Sequence, residues 1–195
     1  MHLDLAALQS GLEDIRQSPA DDGKVELIVR RPAEDERETL DEAHLDTTTG
    51  LVGDAWLAKG GDPASQVTVM NARSAALVAR SRDRWGLAGD QIYVDLNLGF
   101  DNLPPGTRLE VGSAVLEVTG KPHRGCKKFA ARFGLDALRF VNSDQGYALN
   151  LRGINTRVVR SGVVRSGDII RKVPRADVRA RDERGGGDPE RSESE

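Results

Sequence analysis

Residues 104–119 read PPGTRLEVGSAVLEVT, and this stretch decides the fold class. Two short runs rich in valine and leucine, 107–111 and 114–119, are separated by Gly112-Ser113 and preceded by a Pro-Pro-Gly turn. Short apolar runs bounded by glycine and proline are typical of strands joined by turns. We therefore predict two strands here.

Segments of the same kind recur on both sides of this stretch. We predict further strands over 24–31 (with Val25, Leu27 and Val29 on one face), 66–70, 91–96, 147–151, 156–160 and 168–173. Helical spacing predicts short helices over 5–15, after an N-cap at Asn71, and over 126–141. Many short strands with glycines at the corners favour a mainly β fold: a closed or partly closed β-barrel with helical insertions.

Composition and charge exclude several classes of protein. The chain has 195 residues, of which 38% are hydrophobic, and a net charge of −3, so global charge favours neither nucleic acid nor a membrane surface as a partner. No apolar run approaches the roughly 20 residues of a membrane span, and the first residues lack the basic start of a signal peptide. A single cysteine excludes an intramolecular disulfide. We expect a cytoplasmic protein.

Changes in composition divide the chain into three parts. Residues 1–45 contain a helix, a strand and an acid-rich stretch (32–42) that we interpret as a solvated loop or a short exposed helix. Residues 46–174 form the barrel domain. Residues 175–195 are rich in charge and glycine, with almost no side chain to bury, which predicts a disordered tail.

Common catalytic and cofactor motifs are absent from the sequence. It contains no dinucleotide-binding glycine fingerprint, no phosphate loop, no HExxH and no GxSxG. One cysteine and three histidines exclude a cysteine-rich zinc site, and nothing in the spacing supports a mixed site of His44, His123, Cys126 and a carboxylate.

The stretch that carries chemistry is 121–141, KPHRGCKKFAARFGLDALRFV. Cys126 follows Gly125, begins a predicted helix and has basic neighbours, a setting that favours the thiolate, which is both a nucleophile and a metal ligand. The alternative is a small buried hydrophobe, with the lysines on a solvated helix face. His123 is either an acid or base, or a residue that only shapes the turn at Pro122.

Several further elements occur in a fixed order around Cys126. They are 50–54 (GLVGD), 85–90 (WGLAGD), 102–106 (NLPPG), 112–116 (GSAVL), 122–129 (PHRGCKKF), 132–134 (RFG), 137, 140–142 (FVN), 151–153 (LRG) and 162–168 (GVVRSGD). This series resembles MOSC domains, which are named for the C-terminal part of molybdenum cofactor sulfurases. The resemblance covers about 51–173 and implies a β-barrel of the type also found in pyruvate kinase, with helical insertions.

The resemblance also implies a site and a cofactor. Cys126 would carry sulfur as a persulfide or ligate molybdenum, and the molybdenum–molybdopterin cofactor would carry a phosphate. Basic or polar candidates to hold that cofactor are His123, Arg124, Lys127, Lys128, Arg132 and Arg152.

The sequence departs from larger relatives because it contains neither the pyridoxal-phosphate-dependent desulfurase domain nor the separate amino-terminal barrel found in some of them. Sulfur would then come from a partner, a pyridoxal-phosphate-dependent cysteine desulfurase, and pass to a molybdoenzyme. We expect a stand-alone MOSC protein that binds the cofactor, relays sulfur, or both. A non-catalytic cofactor-binding module and a molybdenum-dependent reductase of N-hydroxylated compounds stay open, so the sequence does not decide whether the chain is an enzyme.

Overall fold

Residues 2–174, the part of the chain that this computed structural model describes, contain eleven strands, six α-helices and three 3₁₀-helices (Leu57–Lys59, Pro63–Ser65 and Arg82–Ala88). The strands are β1 (Gly23–Arg30), β2 (Glu38–Leu40), β3 (Glu42–Asp46), β4 (Gly50–Leu51), β5 (Val67–Asn71), β6 (Ile92–Asp95), β7 (Arg108–Val111), β8 (Ala114–Val118), β9 (Ile154–Arg160), β10 (Gly162–Arg165) and β11 (Ile169–Val173). The helices are α1 (Leu5–Ser10), α2 (Leu12–Arg16), α3 (Ala72–Ala79), α4 (Lys127–Phe133), α5 (Leu135–Val141) and α6 (Asp144–Ala148).

Seven of the strands close into a mixed barrel. Their order around the barrel is β1-β11-β7-β8-β9-β5-β6, and β6 pairs again with β1. All of these neighbours are antiparallel except β5 and β6, which run parallel and are joined by the crossover connection that parallel strands require; this connection contains α3. In the hairpin of β7 and β8, Val111 lies opposite Ala114 and Leu109 opposite Leu116. The predicted mainly β barrel with helical insertions is confirmed.

A small sheet and an edge strand complete the β structure. β3 pairs with both β10 and β4, and β2 pairs with the edge of β1. The barrel interior and the inner face of the small sheet share one apolar core, which includes Val69, Val94, Leu116, Leu45 and Val164.

The helices cover the outside of the barrel and form a second core against it. Fully buried members of this core include Leu8, Met70, Tyr93, Phe129 and Phe133. Since β5, β6 and β1 each send alternate side chains to the two cores, both of their faces are apolar.

Helix ends follow local chemistry. The side chain of Asn71 accepts a hydrogen bond from the Ser74 amide, which confirms the predicted N-cap of α3. The predicted helix over 126–141 is two helices, because Gly134 has a φ of 94° and separates α4 from α5.

The structure corrects three local predictions. Residues 147–151 are not a strand: α6 ends there, and its N-cap Ser143 accepts a hydrogen bond from the Gly146 amide. The acid-rich stretch 32–42 is not entirely a loop, since it contains β2 and the first residue of β3. In β1 a register shift between Val25 and Leu27 turns Val25 into the barrel core, whereas Leu27 and Val29 face the helices.

The segment before residue 46 supplies a barrel strand, β1. The domain boundary at residue 46 stays a prediction, and the predicted disordered tail lies outside the described residues. Among the helices of residues 2–174, none combines the length and the apolar content that a bilayer crossing requires.

Candidate functional site

Two adjoining clefts flank residues 121–124, called the wall segment, which lie within the connection between β8 and α4. The first, called the polar cleft, has a volume of ≈ 510 Å³ and is lined by Arg31, Asp54, Trp56, Lys59, Gly61, Asp62, Ser65, Thr68, Lys121, Pro122, His123, Arg124 and Asn155. The second, called the apolar cleft, has a volume of ≈ 440 Å³ and is lined in part by Phe100, Leu103, Pro105, Val118, Tyr147 and Ile154. Residues 121–124 and Asn155 line both clefts.

Hydrogen bonds at both ends hold this segment in place. The side-chain amide of Asn155 donates to the Lys121 carbonyl at 3.0 Å. At the other end, Asn142 accepts from the Gly125 amide at 2.9 Å and donates to the Gly125 carbonyl at 3.1 Å. The wall between the clefts is therefore fixed by contacts to β9 and to the end of α5.

A buried charged cluster lies beneath His123. Asp90 is fully buried, and its Oδ2 accepts a hydrogen bond from Nη1 of Arg152 at 2.5 Å. Arg152 also donates from Nη2 to the Ala88 carbonyl at 2.8 Å, and its guanidinium group lies over the Phe129 ring. The Nδ1 atom of His123 lies 3.5 Å from Asp90 Oδ1.

Three polar atoms of this cluster have no hydrogen-bond partner among the described residues: Asp90 Oδ1, His123 Nδ1 and Arg152 Nε. Buried polar atoms are normally hydrogen-bonded, so three such atoms together distinguish this place from an ordinary core.

Burial sets the charge of His123. Loss of solvent and the nearby Arg152 cation lower its pKa to about 4, although the Asp90 carboxylate acts in the opposite direction. The imidazole ring of His123 is therefore neutral near neutral pH.

The polar cleft has an excess of positive charge. Its basic residues are Arg31, Lys59, Lys121 and Arg124, and its acidic residues are Asp54 and Asp62. Lys121 forms an ion pair with Asp62, and Arg31 forms one with Asp54, so two basic groups have no acidic partner within the cleft. Such a cleft suits an anionic ligand.

Of those two basic groups, Arg124 lies against an aromatic ring. Its guanidinium carbon is 3.3 Å from the centre of the Tyr147 ring in a cation–π contact. This contact gives Arg124 a defined position at the border between the clefts.

The other basic candidates from the sequence lie in three different places. Arg152 lies under His123. Lys128 pairs with Glu34 at 2.5 Å and Arg132 with Asp35 at 2.8 Å, both beside a smaller cleft of ≈ 160 Å³ that also includes Arg31 and Lys59. Lys127 is exposed and lines none of the three clefts.

Cys126 is exposed and is the N-cap residue of α4, where its side chain makes no capping hydrogen bond. Its exposure contradicts the alternative of a small buried hydrophobe. It lines none of the three clefts and lies two residues after Arg124, the last residue of the wall segment.

Sequence reasoning gave no site role to several residues that belong to the site, among them Asp54, Asp90, Arg31, Lys59 and Tyr147. A signal existed for Asp90, because it is the last residue of the element 85–90. The two acids of elements 50–54 and 85–90 both lie within this site, one lining the polar cleft and one beneath it. Arg31, Lys59 and Tyr147 lack a comparable local signal.

No group of three or more His, Cys, Asp or Glu side chains within residues 2–174 could hold a metal ion. The mixed site of His44, His123, Cys126 and a carboxylate is therefore not formed; His44 lies on β3, opposite Val163 of β10.

Comparisons with known proteins agree with this architecture. A family model for the MOSC domain matches residues 46–171. Among solved structures, the YuaD protein of Bacillus subtilis is 19% identical with a TM-score of 0.56, and the match covers 76% of this chain and 93% of that one.

YiiM proteins of two bacteria are similar to the same extent. YiiM of Geobacillus stearothermophilus is 17% identical (TM-score 0.54; 78% of this chain, 76% of that one), and YiiM of Escherichia coli is 19% identical (0.53; 78% and 70%). At these identities the likeness concerns the fold. The search among curated proteins finds no significant match. Since the family model covers well over half of its length, the chain belongs to the MOSC domain family.

Proposed function

We propose that this chain binds a molybdenum–pterin cofactor in the polar cleft and that Cys126 carries sulfur or ligates the metal. The observation that supports this best is the exposed thiol of Cys126, which lies two residues beyond Arg124, the last residue of a segment that lines a cationic cleft. A MOSC domain is expected to act on this cofactor, and the cleft suits the phosphate that the pterin carries.

The residues present fit a metal that arrives within a larger ligand. Residues 2–174 hold no ligand cluster for a bare ion, but they do offer one exposed soft ligand, the Cys126 sulfur. Lys59 and Arg124 lack an acidic partner in the polar cleft and would bind the phosphate. When bound, the cofactor supplies the metal and its redox chemistry.

Sulfur transfer through Cys126 would proceed by thiol exchange. The Cys126 thiolate attacks the outer sulfur of a persulfide on a pyridoxal-phosphate-dependent cysteine desulfurase. The donor S–S bond breaks, the donor leaves as a thiolate, and Cys126 becomes a persulfide. A thiolate of the acceptor, in our proposal a molybdoenzyme, then attacks the outer sulfur; the Cys126 S–S bond breaks and Cys126 leaves as a thiolate.

The test combines metal analysis and intact mass spectrometry on protein from a host that makes molybdenum cofactor. We expect bound molybdenum, an adduct of about 32 Da on the wild type, or both. Cys126→Ser should lose the adduct, because only the thiol can hold sulfur. Neither metal nor adduct on the wild type, even after incubation with a desulfurase and cysteine, would contradict the proposal.

A charge reversal in the cleft separates cofactor binding from non-specific metal uptake. Lys59→Glu should lower the molybdenum content, because Lys59 lines the cleft. Lys24→Glu is the matched control, since Lys24 is an exposed lysine of β1 that lines neither cleft. Equal metal content in both variants would contradict binding in the polar cleft. Molybdenum that stays bound while no sulfur is exchanged would identify a cofactor-binding module without a relay.

A further inference from the structure

The buried polar atoms that lack a hydrogen-bond partner beneath the wall segment indicate which edge of the His123 imidazole ring faces the protein and which faces the clefts. Its Nδ1 atom is buried and lies 3.5 Å from Asp90 Oδ1. Its Nε2 atom makes no hydrogen bond to the described residues and is not among the buried unpartnered atoms. Since His123 lines both clefts, its Nε2 edge is the one through which a ligand can be met.

The buried carboxylate decides which nitrogen carries the proton. Asp90 is fully buried, and only its Oδ2 atom receives a side-chain donor, from Arg152. A proton on His123 Nδ1 gives Oδ1 a donor, and a small shift of the ring is enough to bring the two atoms into hydrogen-bond range. A proton on Nε2 would instead place the Nδ1 lone pair against a carboxylate oxygen in a buried place, which is unfavourable.

The charged groups around the ring keep it neutral. Those that act on His123 are the Asp90 carboxylate and the cations of Arg152, Arg31 and Lys121. Three cations against one carboxylate, together with burial, oppose a second proton on the ring. The neutral ring of His123 therefore carries a proton on one nitrogen, and its other nitrogen is unprotonated.

We propose that His123 is the hydrogen-bond acceptor of the polar cleft: Nδ1–H is directed at Asp90, and the bare Nε2 accepts a hydrogen bond from an N–H or O–H group of the bound ligand. This proposal rests on the proposed function for the place of the ligand. It adds that the ligand must carry such a donor in addition to its anionic group. In this arrangement Asp90 and Arg152 are positioning residues, because they act on the ligand through His123.

The acceptor also determines which ligands are rejected. A ligand that presents a carbonyl or carboxylate oxygen to Nε2 would be repelled, because both atoms carry lone pairs. The ring cannot relieve this repulsion by switching tautomer without losing its interaction with Asp90. The selectivity of the cleft thus depends on a buried aspartate that no ligand touches.

The ring tautomer can be measured in the ligand-free protein by long-range ¹⁵N–¹H NMR near neutral pH. The chain has three histidines, so His2 and His44 give reference signals, and His123→Gln assigns the third. We expect the Nδ1-protonated tautomer for His123. Protonation of Nε2, or the same tautomer mixture as His2 and His44 show, would overturn the proposal and leave the proposed function untouched.

An aspartate variant tests the cause of the tautomer. In Asp90→Asn the side-chain amide can donate to Nδ1, so the proton should move to Nε2. Asp62→Asn is the matched control, because Asp62 lines the same cleft but pairs with Lys121 instead. An unchanged tautomer in folded Asp90→Asn would overturn the positioning role. The wild-type spectrum decides the proposal even if this variant fails to fold.

Binding of a probe tests the acceptor role. We would titrate pterin-6-carboxylate, which has an anionic group and ring N–H donors, into the wild type, His123→Gln and His123→Leu. Glutamine keeps an acceptor oxygen near the place of Nε2 and should bind the probe almost as well, whereas leucine should weaken binding roughly fivefold, the effect of one neutral hydrogen bond. The Nε2 signal of the wild type should shift on binding.

The outcomes of this titration separate the two proposals. Equal binding to all three proteins would overturn the acceptor role alone. A wild type that does not bind the probe would overturn both the acceptor role and the ligand class of the proposed function, whichever tautomer is observed.

Discussion

Arg31 and Asp54 form a bidentate salt bridge, in which Nε of Arg31 donates to Oδ2 of Asp54 and Nη2 donates to Oδ1, each at 2.9 Å. Asp54 also accepts hydrogen bonds from the backbone amides of Arg31 and Trp56, and Arg31 Nη1 donates to the Gly89 carbonyl. The pair therefore joins the end of β1 to the elements 50–54 and 85–90. These contacts hold one wall of the polar cleft.

Removing Asp54 should destabilise the fold strongly. Its carboxylate is only 1% exposed, and its loss in Asp54→Ala leaves the Nε and Nη2 donors of Arg31 and two backbone amides without their acceptor. We expect the free energy of unfolding to fall by about 3 kcal/mol in urea denaturation. Glu42→Ala is the control: its ion pair with Arg165 is exposed, so its loss should cost less than about 1 kcal/mol. Equal effects of the two variants would contradict this account.

The side chain of Asn71 performs two separate tasks. Its oxygen caps α3, and its amide group donates to Ser18 Oγ and to the Leu96 carbonyl, both at 2.8 Å. Asn71→Ala should lower the free energy of unfolding by about 3 kcal/mol, because it removes the cap and two buried hydrogen bonds.

Asn71→Asp separates these tasks, since the carboxylate keeps the acceptor for the Ser74 amide but has no donor. Thermal or urea denaturation should show it to be at least as destabilised as the alanine variant, because a buried carboxylate oxygen would replace the donor that faces the Leu96 carbonyl. An aspartate variant as stable as the wild type would show that the amide donors contribute nothing.

Stability should fall as the pH is lowered from about 7 to about 5. The pKa of His123 is lowered to about 4 in the folded state, against an ordinary value near 6.5 in the unfolded chain. The unfolded state therefore binds more protons between these two values, and its protonation favours unfolding.

The expected loss is about 2 kcal/mol at about pH 5 relative to about pH 7, measured by urea denaturation. His123→Gln removes this titration, so the variant should have a much flatter profile over the same interval. The account fails if the profile of the variant is as steep as that of the wild type.

The Cys126 thiol should react in the native state. Because the side chain is exposed and makes no capping hydrogen bond, a thiol reagent should modify one equivalent without denaturant, at a rate similar to that in urea. Cys126→Ser should change the free energy of unfolding by less than about 0.5 kcal/mol. A thiol that reacts only after denaturation would contradict the exposed position and restore the alternative of a structural cysteine.

Local patterns predicted the elements that local chemistry controls. The turn at Gly112-Ser113, the strands on either side of it and the cap at Asn71 follow from residues within a few positions of each other. The sequence elements around Cys126 also identified the family, because their residues and their order can be read directly from the sequence. The same reasoning failed at 147–151, where valine and isoleucine are absent and the Ser143 cap favours a helix.

Contacts between residues that are far apart in the sequence were determined only by the tertiary structure. Asp90 and Arg152 are 62 residues apart in the chain, and His123 meets them because closure of the barrel brings the segment after β8 over the loop before β6. The bulge in β1 likewise turns Val25 towards one core and Leu27 towards the other. The sequence alone determined which chemical groups are available and which short elements form, since these depend on neighbouring residues. The burial of side chains, the pairing of distant residues and the protonation of His123 depend on long-range packing. Only the tertiary structure therefore determines them.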